Sequence, residues 1–358
     1  MNISPITVLI VDDSRIFRSA LEECLSELDD IKVIGSVFNG EEALKFIGSK
    51  RPDVVTLDVE MPGINGLEVL KRILKNNTEH PDEPIIKVLM LSAFTKKGAD
   101  ITMEALEIGA YDFLTKPNST SPQEGIKLLK NSILLKIRQI KFKKNKPLQI
   151  PEKIESIENI QIKPQPELRN HHFNSILIAV STGGPKALME FLPGLCAVTD
   201  VPIFIVQHMP PTFTVSLANG LNEKCSHTVI EAVNDGIAQK KHVYIAPGGR
   251  HMLIRKIGEN IRTIITDTAP ENGCRPSADV LFRSAPAVYG GKLVVLILTG
   301  MGNDGTKGLL PLKREGAKVI AQDEASSVVW GMPGSAVASG NVDIILPLKE
   351  IAEAISKL

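Results

Sequence analysis

The feature that most constrains this chain is its rhythm. Short Val/Ile/Leu-rich runs are each closed by a polar or glycine-bearing turn and followed by a helical pattern. ITVLIVDD (6–13), IKVIGSV (31–37), DVVTLD (53–58), IIKVLMLS (85–92) and AYDFL (110–114) are five such runs. They are continuous rather than alternating, as strands buried on both faces are. Helical stretches near 14–29, 40–50, 65–76, 96–109 and 122–142 follow them. Five βα units in succession predict a parallel sheet wound on both faces.

Residues 143–172 break the rhythm. They are polar, carry four prolines and have no clear period, which reads as a linker. The basic run from Lys136 to Lys146 reads as the solvated end of a helix entering it. A second α/β pattern then begins, with SILIAVS (175–181), VPIFIVQH (201–208), KHVYIAP (241–247), KLVVLILTG (292–300) and AKVIAQD (317–323) as strands. The expected organisation is a domain over 1–142, a linker over 143–172 and a second domain over 173–358. A length of 358 residues suits two domains.

Forty-one basic and forty-one acidic side chains balance to zero net charge. That argues against broad nucleic-acid binding and gives no anionic membrane partner. No helix-turn-helix with a basic face is apparent. No signal peptide opens the chain and no apolar run is long enough to span a bilayer, so a cytoplasmic protein without membrane insertion is expected. Cys24, Cys196, Cys225 and Cys274 form no CxxC pair and read as reduced, mostly buried thiols.

Three carboxylates end neighbouring strands in the first half: Asp12, Asp13 and Asp58. Brought together they repel one another and favour a cation. Hard oxygen ligands with little else point to Mg²⁺, which can also bridge to a phosphoryl group. One carboxylate can then attack phosphorus in line to give an acyl phosphate. Ser92, after IIKVLML, can hydrogen-bond that group, and Lys116 can pair with Asp58 or with phosphate. VLIVDDSR, LDVEMPGINGLEVL, MLSAF and GAYDFLTKP resemble the receiver domain of two-component response regulators, over residues 5–141. The resemblance implies a flavodoxin-like (βα)5 fold. It implies that Asp58 accepts phosphate from a histidine kinase, that Asp12, Asp13 and Asp58 hold Mg²⁺, and that Ser92, Phe113 and Lys116 are the switch residues. It also implies a cis peptide at Lys116–Pro117.

The second half offers a nucleophile set at strand ends: Ser181 in AVSTGGP, His208 in QHMP and Asp304 in TGMGNDG. In open α/β sheets, sites gather outside the carboxyl ends of strands. Alone, Ser181 reads as a helix cap and His208 as a structural histidine. Their shared placement is what argues that they meet, since a base must take the serine proton and a carboxylate must orient the base. His251 in APGGRHM also follows a strand and is kept as a substrate-side or supporting residue. GMGNDG (300–305), with Asp323 ending the next strand, also fits a dinucleotide fingerprint. Asp304 opposes that reading, because its charge at a helix start would repel a pyrophosphate.

AVSTGGP, IFIVQHMPPTFTVSLA, APGGRHM, CRPSADVLFRS, LTGMGNDGTKGL and AQDEASSVVWGMP resemble the catalytic domain of the chemotaxis protein-glutamate methylesterase family, over roughly 174–355. The resemblance implies a Ser181–His208–Asp304 triad, with Met301 giving a backbone N–H to the oxyanion beside Thr182 and Gly183. Ala179 and Val180 depart from the Gly-Ala that commonly precedes the serine in that family. The expected function is a phosphorylation-regulated hydrolase of glutamyl methyl esters on methyl-accepting chemoreceptors. Deamidation of receptor glutamines is expected as well. A chemotaxis histidine kinase would be the phosphodonor, Mg²⁺ would serve the receiver, and no cofactor is expected for ester hydrolysis. The alternative is an adaptor with an inactive esterase-like domain. The expected fold is α/β throughout, the second domain being a doubly wound, mostly parallel sheet.

Overall fold

The computed structural model describes residues 4–117, 129–130, 133–138, 140 and 171–358. The chain divides into two compact units, Met1–Ile157 and Glu158–Leu358. The expected linker lies almost wholly outside the described residues, as does much of the expected helix 122–142.

The first unit alternates β1 (Ile6–Val11), α1 (Arg15–Ser26), β2 (Ile31–Val37), α2 (Gly40–Ser49), β3 (Val54–Asp58), α3 (Gly66–Glu79), β4 (Lys87–Ser92), α4 (Lys96–Ile108) and β5 (Asp112–Thr115). The five strands pair in parallel in the order β2-β1-β3-β4-β5. The sequence therefore turns back at β1, whose neighbours are β2 and β3, and Asp12 and Asp58 fall at that switch point. Ser14, Asn39, Asn65 and Thr95 cap α1 to α4 by accepting a backbone N–H. Residues 133–138 are helical, and Leu129, Ile133, Ile137 and Ile140 join the buried cluster around Ile10 and Leu89. Their near-fourfold spacing is one helix face. Lys116–Pro117 is trans, the isomer that even an X–Pro bond favours. Arg275–Pro276 is the one cis peptide bond among the described residues, contrary to the sequence expectation.

The second unit carries a fully parallel seven-stranded sheet. Its strands are β6 (Ser175–Val180), β7 (Ile203–Gln207), β8 (Thr228–Glu231), β10 (His242–Ile245), β13 (Leu293–Ile297), β14 (Lys318–Gln322) and β15 (Ile344–Leu346). A separate antiparallel sheet holds β9 (Gly236–Ile237), β11 (His251–Ile257) and β12 (Asn260–Thr266). The large sheet runs β15-β14-β13-β6-β7-β10-β8. Every residue of β6, β7 and β13 is buried, which is why these runs are apolar without alternation. Phe204, Leu177, Val295 and Phe282 belong to one buried cluster between the sheet and the helix Ala278–Ser284. The chain starts in the middle at β6, winds outward through β7, and returns to the other side at β13. That return makes a second switch point, between β6 and β13. No described helix is long and apolar enough to cross a membrane.

Candidate active site

The nucleophile candidate sits where β6 stops and the helix Gly184–Val198 starts. Ser181 N donates to Thr299 O at 2.9 Å, and Gly184 N donates to Ser181 O at 2.8 Å, closing a tight turn. The turn tolerates only glycine at two places. Gly183 has φ 75°, and a Cβ there would lie 2.5 Å from Val328. A Cβ on Gly184 would lie 2.0 Å from the Gln207 carboxamide oxygen and 2.7 Å from Val180 Cγ2. No side chain caps this helix; Gly184 N is spent on the turn and Pro185 has no N–H, which leaves the N–H groups of Thr182 and Gly183 before it to face the site. From the other side, Gly300 presses so close that a Cβ would come within 2.8 Å of Ser181 Cβ.

His208 follows β7 and Asp304 lies in the loop after β13, so the two neighbours of β6 deliver them to the same end of the sheet. His208 Nε2 and Asp304 Oδ2 are 2.8 Å apart. The other ring nitrogen, Nδ1, lies 3.7 Å from Cys274 Sγ. Among the described residues the hydrogen bonds of Ser181 are made by its backbone. Catalytic hydrogen bonds of this kind commonly tighten only with substrate present.

Asp304 is 2 % exposed and its two oxygens are crowded with donors. Ser277 Oγ donates at 2.6 Å, Ala278 N at 2.6 Å, and Asn272 Nδ2 at 3.1 Å. Burial alone would raise its pKa, but His208, Ser277 and the Ala278 N–H hold the carboxyl well below the usual carboxylate range. Burial pulls His208 the other way, yet the Asp304 carboxylate and the Cys274 sulfur outweigh it, and its pKa is pushed up to about 9. Asn272 also donates to Asp279 Oδ2 at 2.8 Å, so one amide bridges two buried carboxylates. Burial raises the pKa of Asp279, with the Gly308 N–H pulling back.

His251 is not on the substrate side. It is fully buried, its Nδ1 accepts from Ser277 N at 3.1 Å, and its Nε2 lies 3.1 Å from Ala269 O. It thus holds the residue that holds Asp304. Ser277, Asn272, Asp279 and Gln207 escaped the sequence reading. Their roles come from partners tens of residues away, although CRPSADV did flag the segment. Thr182 is buried and its carbonyl accepts from Thr299 Oγ1 at 2.9 Å. Met301 follows Gly300 in the loop that packs on Ser181, and Gly331 backs it so closely that a Cβ there would meet Met301 Cα at 3.1 Å. Asp323 is used locally, accepting from Ser326 N and Ser326 Oγ.

In the first unit an oxygen from each of Asp12, Asp13 and Asp58 lies within 4.8 Å of the others. Asp12 is buried, Asp58 nearly so, and Asp13 exposed. Lys116 Nζ stands 2.7 Å from Asp12 Oδ2 and 2.8 Å from Asp58 Oδ2. The first is an ion pair without hydrogen-bond alignment, so Asp12 Oδ2 keeps unused acceptor capacity. Burial pushes the Asp58 pKa up to about 6 against the pull of Lys116. Ser92 ends β4 beside them and is fully buried. Phe113 is 7 % exposed on β5, with the Lys136 ammonium 5.8 Å from its ring centre.

Comparison with known proteins bears on both units. Residues 176–355 match the family model described as CheB methylesterase, which is half of the chain. The chain belongs to the CheB methylesterase family. Residues 8–128 match the response regulator receiver domain. Two full-length relatives are each called protein-glutamate methylesterase/protein-glutamine glutaminase. The one from Trichodesmium erythraeum is 42 % identical over 97 % of both chains, and the one from Geobacillus kaustophilus is 40 % identical over 99 % of this chain and 98 % of its own. The crystal structure of the Thermotoga maritima CheB methylesterase catalytic domain is similar to 52 % of this chain and covers 98 % of its own, at 38 % identity and a TM-score of 0.50. Ser181, His208 and Asp304 all fall inside the CheB methylesterase match. The three carboxylates and Lys116 fall inside the receiver match. Ala179 and Val180, which precede Ser181, are both buried.

Proposed function

We propose that this chain is a protein-glutamate methylesterase controlled by phosphorylation of its own receiver domain. The observation that carries the reading is the delivery of Ser181, His208 and Asp304 to one sheet end by three adjacent strands, with His208 and Asp304 2.8 Å apart. The full-length relatives and their shared name support it. The substrates are γ-glutamyl methyl esters on methyl-accepting chemoreceptors, and receptor glutamines are deamidated by the same route.

Ser181 Oγ attacks the ester carbonyl as its proton passes to the His208 nitrogen not held by Asp304. Asp304 stabilises the imidazolium and fixes the ring. The tetrahedral oxyanion is met by the backbone N–H of Met301 and by Thr182 and Gly183 at the uncapped helix start. Collapse breaks the ester C–O bond, and His208 gives its proton to the leaving methanol. Water then attacks the acyl-enzyme, His208 takes a proton from it, and Ser181 leaves with that proton as glutamate is released. Ester hydrolysis by this route uses no cofactor.

In the receiver, Asp12, Asp13 and Asp58 suit a hard divalent cation. Their oxygens are close, and buried Asp12 Oδ2 has acceptor capacity to spare. Asp12, Asp13 and Asp58 would hold Mg²⁺, whose charge would offset that of a transferring phosphoryl group. Asp58 accepts the phosphoryl group from a chemotaxis histidine kinase. Ser92 and Lys116 bind the phosphoryl oxygens, and Phe113 follows their movement.

The test is methanol release from membranes bearing methylated chemoreceptor, with and without a small-molecule phosphodonor. Wild type should release methanol, faster with phosphodonor, and Ser181→Ala should release none. Release that persists in Ser181→Ala would overturn the triad. Release indifferent to the phosphodonor would keep the esterase and discard its control by the receiver.

A further inference from the structure

Gln207 is the last residue of β7 and the one polar side chain in an otherwise apolar strand, IFIVQ. It is 1 % exposed. Its carboxamide nitrogen donates to Ser181 O at 3.1 Å and to His208 O at 3.2 Å. Both amide hydrogens are therefore committed to the backbones of the nucleophile and the base. The carboxamide oxygen is buried without a hydrogen-bond partner, pressed against Gly184. A buried orphan acceptor is destabilising, and methionine or leucine at this place would avoid that cost. The donors must be worth that cost.

The sheet explains why they are needed here. Strands β6 and β7 pair up to Val180 opposite Gln207. One more backbone bond follows, from His208 N to Val180 O at 3.2 Å. Beyond it the strands part. Ser181 turns into a helix, and His208 enters Met209-Pro210-Pro211, where two prolines have no N–H to offer. From that point no ladder bond fixes Ser181 relative to His208. The only hydrogen bonds spanning the two residues among those described are those of Gln207.

We propose that Gln207 is a positioning residue for acyl transfer, its carboxamide setting the separation of Ser181 and His208 through both backbone carbonyls. The proposal rests on the esterase reading of those two residues. It predicts that a residue of the same size without donors impairs the first chemical step and leaves substrate binding alone.

The experiment uses the full chain with Gln207→Met and Gln207→Glu. Three quantities are measured: thermal melting, the rate at which a fluorophosphonate labels Ser181, and methanol release from methylated receptor membranes. Gln207→Met should melt close to wild type, with labelling and kcat lowered roughly 100-fold, as displacements near 1 Å commonly cost, and KM unchanged. Gln207→Glu is informative through pH. As a carboxylate it repels both carbonyls, whereas its protonated form regains one donor. Its labelling rate relative to wild type should rise as pH falls from 8 to 5.5, a signature that lost packing would not give. A folded Gln207→Met labelled at the wild-type rate overturns the proposal, as does a Glu-to-wild-type ratio flat across that range. Failure of the esterase reading looks different, since wild type itself would then release no methanol.

Discussion

The His208–Asp304 pair governs how the site should respond to pH. A base must be neutral to accept the Ser181 proton, and the His208 pKa stands near 9. Below that value the ring is a cation, so kcat/KM for methanol release should climb with pH and level off above about 9. Asp304→Asn removes the carboxylate that opposes burial. The rising limb should shift to lower pH, and kcat should fall about 10³–10⁴-fold, as when a triad carboxylate is neutralised elsewhere. A limb that stays in place would mean that His208 is not the group titrating. For folding the sign is reversed. A histidine whose folded pKa exceeds its unfolded value of about 6.5 stabilises fully below that pH and loses its contribution as pH rises through about 9. The second unit should therefore melt lower at pH 10 than at pH 6, by more than a His208→Gln variant does. Ser277→Ala strips a 2.6 Å bond from a buried carboxylate and should cost about 1.5–3 kcal/mol in denaturant unfolding, with kcat reduced. That Ser181, His208 and Asp304 lie at one end of the sheet was legible, because each follows an apolar run that reads as a strand. Gln207, Ser277 and Asn272 were not, because a hydrogen bond across the fold leaves no local pattern.

Single glycines carry the geometry of whole elements here. Gly183→Ala puts a side chain at φ 75° and 2.5 Å from Val328, so the helix Gly184–Val198 must shift at its start. The left-handed backbone alone costs about 1–2 kcal/mol, and the displaced turn should lower Ser181 labelling by a fluorophosphonate. Phe282, fully buried on Ala278–Ser284, packs against the helix Thr306–Arg314 so closely that a Cβ on Gly308 would lie 2.6 Å away. Phe282→Ala should cost about 3–5 kcal/mol in the unfolding of the second unit, and a smaller loss would mean that the core collapses around the gap. The ten apolar runs read as strands are all strands in the structure. Continuous burial writes itself into composition. The elements that went unread are those where that signal is weak. β8 is a short edge strand of mixed exposure, and β15 has only three residues. The β11–β12 hairpin was readable, since HMLIRKI and NIRTIIT flank Gly258-Glu259 with Gly258 at φ 60°. Its alternation was masked by the longer runs around it.

For the whole molecule, the two units raise the question of control. A ligand or modification can shift an equilibrium only by its different affinity for two states. If the unphosphorylated receiver occludes the site, residues 165–358 alone should release methanol at least as fast as the unphosphorylated full chain, and markedly slower release would exclude simple occlusion. The division into two α/β units was legible because the βα rhythm halts and restarts. The order of strands in the second sheet was not, since a run of apolar residues does not say which neighbour it will choose. That order also reaches back to how the protein is made. β6 is the first strand of its sheet to leave the ribosome, yet one of its edges waits for β13, where Leu293 pairs with Ser175. Throughout that interval a strand that is apolar at every position but its first offers bare N–H and C=O groups to any extended chain nearby. The nucleophile is thus the earliest part of the triad to be synthesised, and it waits for β13 before its strand is flanked on both sides. A nascent chain cannot hydrolyse esters by this route before Asp304, in the loop after β13, has been made.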